Sequence, residues 1–155
     1  MAMLPMNGRV SPGSTGAPGV LTVTGDYTQT QFATLMIQIA GASDFSVLDV
    51  VGNANLNGFL DPVLLNGFVP SLGDSFTFLT YASLTGELSH IRHPFLGNGL
   101  QWSVIYEPNH AILTVEQHVS DDDATFLLLG LGLLGLLTYR RTLLHANRYA
   151  LREGT

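Results

Sequence analysis

The side chains able to do chemistry are few and scattered. His90 and His93 stand three apart beside Pro94, with His110 and His118 further along. Such imidazoles could ligate a divalent metal, but the pair has no committed third ligand and is not a helix-borne HExxH motif. Surface histidines are the expectation. Asp49, Asp61, Glu87 and Glu107 have the chemistry of a glycosidase or lyase, which needs two carboxyls, or a base and a charge stabiliser, on one face. Nothing in their spacing brings any two together. Asp44, Asp49, Asp61 and Asp74 lie in neither an EF-hand loop nor an Asp-rich nonapeptide, so turn stabilisation is expected of them rather than Ca²⁺ binding. Gly130-Leu131-Gly132-Leu133-Leu134-Gly135 spells G-x-G-x-x-G, yet a dinucleotide site needs a βαβ unit around it, and only about 20 residues follow. The chain has no cysteine, which excludes disulfides, thiolate catalysis and Cys-based zinc sites. The expectation is a protein with no catalytic residues, no metal and no cofactor.

The elements that carry these residues are set by hydrophobic patterning. Of 155 residues, 46% are hydrophobic and 12% charged, against about a quarter charged in ordinary soluble domains. So low a charge content suits a continuous apolar core, time spent in lipid, or both. All six basic residues are arginine, and residues 1–119 hold only Arg9 and Arg92 against eight acids. Phosphate backbones require clustered basic groups, so nucleic acid is not an expected partner. Residues 1–13 have neither a basic n-region nor an apolar h-region, which suggests a reading frame that begins further upstream.

Residues 1–19 are a Gly/Pro-rich turn segment. From Val20 on, short runs alternate with period two: residues 20–24 place Leu21 and Val23 on one face, and residues 35–39 do so with Leu35, Ile37 and Ile39. Residues 47–51, 59–65, 76–79, 101–106 and 111–115 continue the pattern. Asn57-Gly58 and Asn66-Gly67 predict turns with positive φ, and Pro62 predicts an edge or a break. Glycines near 25, 41, 52, 58 and 67 suggest units of about a dozen residues. No helical period occurs before residue 120. The fold expected for residues 20–118 is all-β, the C-terminal coils of a parallel β-helix or solenoid with a sandwich-like cap; an antiparallel sandwich is the alternative.

Residues 119–155 differ. Asp121-Asp122-Asp123 precede an uncharged run, Phe126, Leu127, Leu128, Leu129, Gly130, Leu131, Gly132, Leu133, Leu134, Gly135, Leu136 and Leu137, and Arg140-Arg141 follow it. A helix over 125–139 predicts one short C-terminal transmembrane segment. Fourteen residues, 125–138, extend about 21 Å as helix, short of the roughly 30 Å hydrocarbon core unless arginines snorkel. The basic pair belongs on the cytoplasmic side and the β-body outside.

Two resemblances follow. Residues 8–30, with Leu48, Val50, Gly52, Ala54, Leu56 and Gly58, then Gly73, Asp74, Phe76 and Leu79, and finally Trp102, resemble the closing coils of autotransporter-type β-helical proteins over about residues 8–116. The tail resembles a PEP-CTERM sorting signal of the V-P-D class through Val119, Asp121, Thr125, the Leu/Gly run and Arg140-Arg141. Ser120 stands where that motif has proline, and fourteen residues follow Arg141. The resemblance implies a Gram-negative exported protein that passes through the inner membrane to the cell surface or extracellular matrix. Its tail would be processed by an exosortase-type transpeptidase, and exopolysaccharide is a conceivable partner. The alternatives are the C-terminal piece of a β-helical carbohydrate-active enzyme and a permanently tail-anchored membrane protein.

Overall fold

A computed structural model describes residues 5–6, 8–92 and 95–118. The tail readings (Val119, Ser120, Asp121, Thr125, the run 126–137 and Arg140-Arg141) and His93 lie outside the described residues. Alternating apolar residues form strands because the pleat sends successive side chains to opposite faces. The strands are β1 (Pro5–Met6), β2 (Arg9–Val10), β3 (Val20–Val23), β4 (Tyr27–Gln29), β5 (Thr34–Gly41), β6 (Asp44–Phe45) and β7 (Val47–Val50), then β8 (Asn53–Leu56), β9 (Phe59–Leu64), β10 (Ser75–Thr80), β11 (Ser83–Gly86), β12 (His90–Ile91), β13 (Leu100–Tyr106) and β14 (His110–Gln117). The described residues contain no helix, and so none long and apolar enough to cross a membrane.

The chain winds as a β-solenoid of about three turns. Each coil visits three sheets in the same order, so that β3, β7 and β10 stack in one, β1, β4, β8 and β11 in a second, and β2, β5, β9 and β12 in a third. Every pairing between successive coils is parallel, as in Val20↔Val47, Tyr27↔Ala54 and Thr34↔Phe59. The repeat therefore runs over 23 residues at Pro5↔Thr28 and 31 at Leu48↔Leu79. The dozen-residue glycine spacing marks breaks within a coil rather than the coil itself; at Gly52 and Gly58 a Cβ would run into the backbone of the coil below, at Gly25 and at Thr30 and Ala33. Strands β1 and β2, within the Gly/Pro-rich segment, pair in parallel with β4 and β5.

Parallel stacking in register lines up inward side chains as columns. Leu21, Leu48 and Leu79 form one; Val10, Leu35, Leu60 and Ile91 form another. Leu35, Leu48, Leu60 and Leu79 are fully buried, each contributing about 1.5–3 kcal/mol by leaving water. On the outer face Asp49 accepts from Thr22 below (3.4 Å) and Thr80 above (2.6 Å), and Asn53 Oδ1 accepts from Ser83 at 3.0 Å.

Pro62 fits inside β9 because of hydrogen-bond parity. Phe59 N donates to Ala33 O and Leu65 N to Ile39 O, so odd residues face β5. The nitrogen of Pro62 faces the other side, beyond the last residue of β12, which pairs only Phe59 and Leu60. No ladder bond is lost there.

Buried polar groups pin the corners. Gln29 Nε2 donates to Asn57 O (2.7 Å) and Phe59 O (3.0 Å), and its Oε1 accepts from Tyr27 OH (3.0 Å). Gln38 Nε2 donates to Ser14 O (2.9 Å) and its Oε1 accepts from Gly16 N (3.0 Å). The Gln38 bonds fold the 11–19 loop back on the sheet, where a Cβ at Gly13 (φ +97°) would run into Ala17 O. Burial alone pushes the Tyr27 phenol well above its usual range.

The C-terminal end is closed by a hairpin. β14 pairs antiparallel with β10, and β13 with β14. Leu100, Trp102, Val104 and Tyr106 pack on the core, Trp102 against Phe76 at 6.1 Å between ring centroids. Tyr106 OH accepts from Leu88 N at 2.9 Å, tying the hairpin to the last coil.

Candidate functional site

Phe59 and His90 occupy one register position on successive coils, β9 and β12, and face outward. Their rings lie 5.9 Å apart at 31°. Two residues past His90 the strand has ended, and the Arg92 guanidinium folds back over the Phe59 ring, 3.5 Å from its centroid, a cation–π arrangement. Arg92 N is still bonded to Leu60 O (2.7 Å), so the backbone fixes where the side chain starts.

The hairpin supplies the opposite wall. Leu100 is set by a turn whose amide donates to Gly97 O (2.9 Å), and β13 then carries Gln101 and Trp102. His118 follows β14; its amide donates to Gly99 O (2.6 Å) and its Nδ1 meets Gln101 Oε1 at 2.8 Å. Between the walls is a cleft of about 640 Å³ whose lining includes Phe59, Arg92, Phe95, Trp102 and His118. Phe95 is 87% exposed at its mouth.

The charges are one-sided. The described residues lining the cleft comprise Arg92, His90 and His118 but no Asp or Glu, in a protein of net charge −6. The one ion pair among the described residues joins Arg9 to Asp61 at 3.4 Å, so no described carboxylate neutralises Arg92. Aromatic rings, a guanidinium free to make paired N–H···O bonds, and an amide make a surface for a flat, partly apolar ligand bearing a carboxylate.

The residues singled out in the sequence are dispersed. Asp49 lies on β7 between Thr22 and Thr80, and Asp61 lies on β9 with Arg9; these strands belong to different sheets. Glu87 and Glu107 follow β11 and β13. Asp74 stabilises a turn, accepting from Ser71 N (2.8 Å), and Asp44 lies on β6. His110 pairs with its neighbour Asn109 at 2.8 Å. No three His, Asp or Glu gather as a metal site among the described residues. A second depression of about 510 Å³ joins Asp49, Thr80 and His110, and Asp49 is the sole carboxylate among its described lining residues. The sequence reading missed Phe59, Arg92 and Phe95 as a group. Its one available signal was that Arg92 is among only two cations in residues 1–119.

No protein-family model matches the chain, and no curated protein sequence matches it.

Proposed function

We propose that this protein is a non-enzymatic surface binding module whose cleft takes an acidic polysaccharide. The observation that carries this reading is the acid-free cleft in which Arg92 lies on Phe59 opposite Trp102. Pyranose C–H faces pack on aromatic rings, and a uronate carboxylate accepts two parallel bonds from a guanidinium. In this reading residues 119–141 are the address: the acidic motif, apolar run and Arg140-Arg141 carry the β-body across the inner membrane, and an exosortase-type enzyme removes the tail at the cell surface or matrix. The test has two parts. Full-length protein in mild detergent is passed over immobilised polyuronate and over a neutral glucan, and the species recovered from membrane and extracellular fractions of the native host are weighed intact. Retention on polyuronate alone, lost in Arg92→Ala, supports binding; equal retention on both matrices refutes it. An extracellular species ending near residues 120–123 supports sorting.

Ser120, in place of the motif's proline, favours a second reading in which the tail is never removed and the module stays membrane-anchored. A full-length species confined to membranes selects it.

A further inference from the structure

The outer face of the sheet β12-β9-β5-β2 carries both cations of residues 1–119, and register sets them on either side of one acid. Thr34 pairs with Arg9 on one side and Phe59 on the other, and Phe59 with His90, so these residues form one outward row. The next outward row holds Met36 and Asp61. Arg92 stands level with Asp61, because Ile91 pairs with Leu60 and Arg92 N donates to Leu60 O at 2.7 Å. Neighbouring strands lie about 4.8 Å apart, so Asp61 is within reach of an arginine side chain rooted there.

Arg92 does not take it. Its guanidinium lies over the Phe59 ring instead, 3.5 Å from the centroid. The acid is held from the far side: the Arg9 side chain crosses β5, with Nη2 against Met36 Sδ, and ends 3.4 Å from Asp61 Oδ2. The nearer arginine therefore holds a ring and the farther one the carboxylate. Charge accounts for this. Asp61 is the sole acid on β2, β5, β9 and β12. An exposed ion pair and an exposed cation–π contact are of similar small worth, so the partner Arg92 keeps depends on whether Asp61 is already matched.

We propose that Arg9 is a positioning residue for the cleft: by neutralising Asp61 it leaves Arg92 on Phe59. Arg9 is not among the residues lining the cleft, so it acts through Arg92. Without it, Asp61 is an unmatched carboxylate beside Arg92. It then draws the guanidinium off the ring and competes with a ligand carboxylate for the same N–H groups. The effect on ligand rests on the proposed function; the position of Arg92 is measurable with no ligand present.

The test reads Arg92 directly. In the full chain in mild detergent the Nε–Hε resonances of the six arginines are recorded, and that of Arg92 is assigned by its loss in Arg92→Lys. In the wild type the Phe59 ring shifts it upfield. Arg9→Gln should move it downfield and weaken uronate binding about fivefold. Arg9→Gln with Asp61→Asn should restore both, and Arg9→Lys, which keeps the charge, should stay close to the wild type. Arg9→Gln with Asp49→Asn restores the same net charge from another sheet and should restore neither. An Arg92 resonance that stays upfield in Arg9→Gln overturns the proposal. Equal rescue by Asp49→Asn also overturns it, since the effect is then one of net charge. A resonance that moves and returns as stated, in a chain that ignores uronate, upholds the positioning and refutes the proposed ligand instead.

Discussion

Replacing Leu48 by alanine, and separately Leu21, tests whether these residues form one column. Leu48 is 0% exposed, held between Leu21 below and Leu79 above. Truncation there removes buried methyls and leaves a void that the stacked backbone cannot collapse into, so about 3–5 kcal/mol of stability should go. Leu21 points into the same column but is 40% exposed, so part of its side chain is already in water. Scaled to the buried share, Leu21→Ala should cost roughly half as much, about 1.5–2.5 kcal/mol. Urea unfolding of the full chain in mild detergent, followed by Trp102 fluorescence, measures both through the shift in midpoint at unchanged slope. Leu79→Ala should behave like Leu48→Ala. Equal costs at Leu21 and Leu48, or a larger cost at Leu21, would refute the column.

Further predictions concern the polar corners and pH. Gln38→Ala leaves Gly16 N without its partner and removes one of the two bonds to Ser14 O, which keeps that from Ala17 N; it should cost about 1–3 kcal/mol and raise the rate of limited proteolysis within residues 11–19. Gly13→Ala forces a Cβ against Ala17 O at positive φ and should cost about 1–3 kcal/mol by chemical denaturation. Tyr27 keeps its proton in the fold above its usual value of 10.0, through burial. Its contribution is therefore complete below pH 10 and is lost as pH rises beyond it, at up to about 1.4 kcal/mol per pH unit. Tyr27→Phe should weaken the fold near neutral pH yet flatten its decline between pH 10 and 11.5; an unaltered slope there would show that this phenol is not responsible.

How much of this was legible in the sequence depends on length and contrast. The alternation of Leu35, Ile37 and Ile39 is clear because β5 is long and its inward residues are all aliphatic. The turns at Gly58 and Asn66 are equally plain, since both have positive φ. Periodicity passed over the sheet of β4, β8 and β11. Tyr27–Gln29, Asn53–Leu56 and Ser83–Gly86 are three or four residues each, with Asn, Ser and Thr outward, too short to show alternation; only the resemblance placed Ala54 and Leu56 in a coil. What makes them strands is the ladder from neighbouring coils, which no local window contains. The cleft was hidden for the same reason. Phe59, Arg92 and Trp102 are far apart in sequence and meet only because one coil step sets His90 on Phe59 and the hairpin returns Trp102 beside them. The carboxylates could not be placed from sequence, because their spacing said nothing about which sheet each would join.

Trp102 is the chain's single tryptophan and lies in the cleft, so its fluorescence reports on the proposed site without a label. The decisive measurement is a titration of the full chain with uronate oligosaccharides and with neutral oligosaccharides of equal length. Saturable change with the uronates alone, weakened at least about tenfold by Arg92→Ala and suppressed by salt, is the result the proposed function predicts. An unchanged Trp102 signal across both series, or identical responses from the wild type and Arg92→Ala, would contradict it.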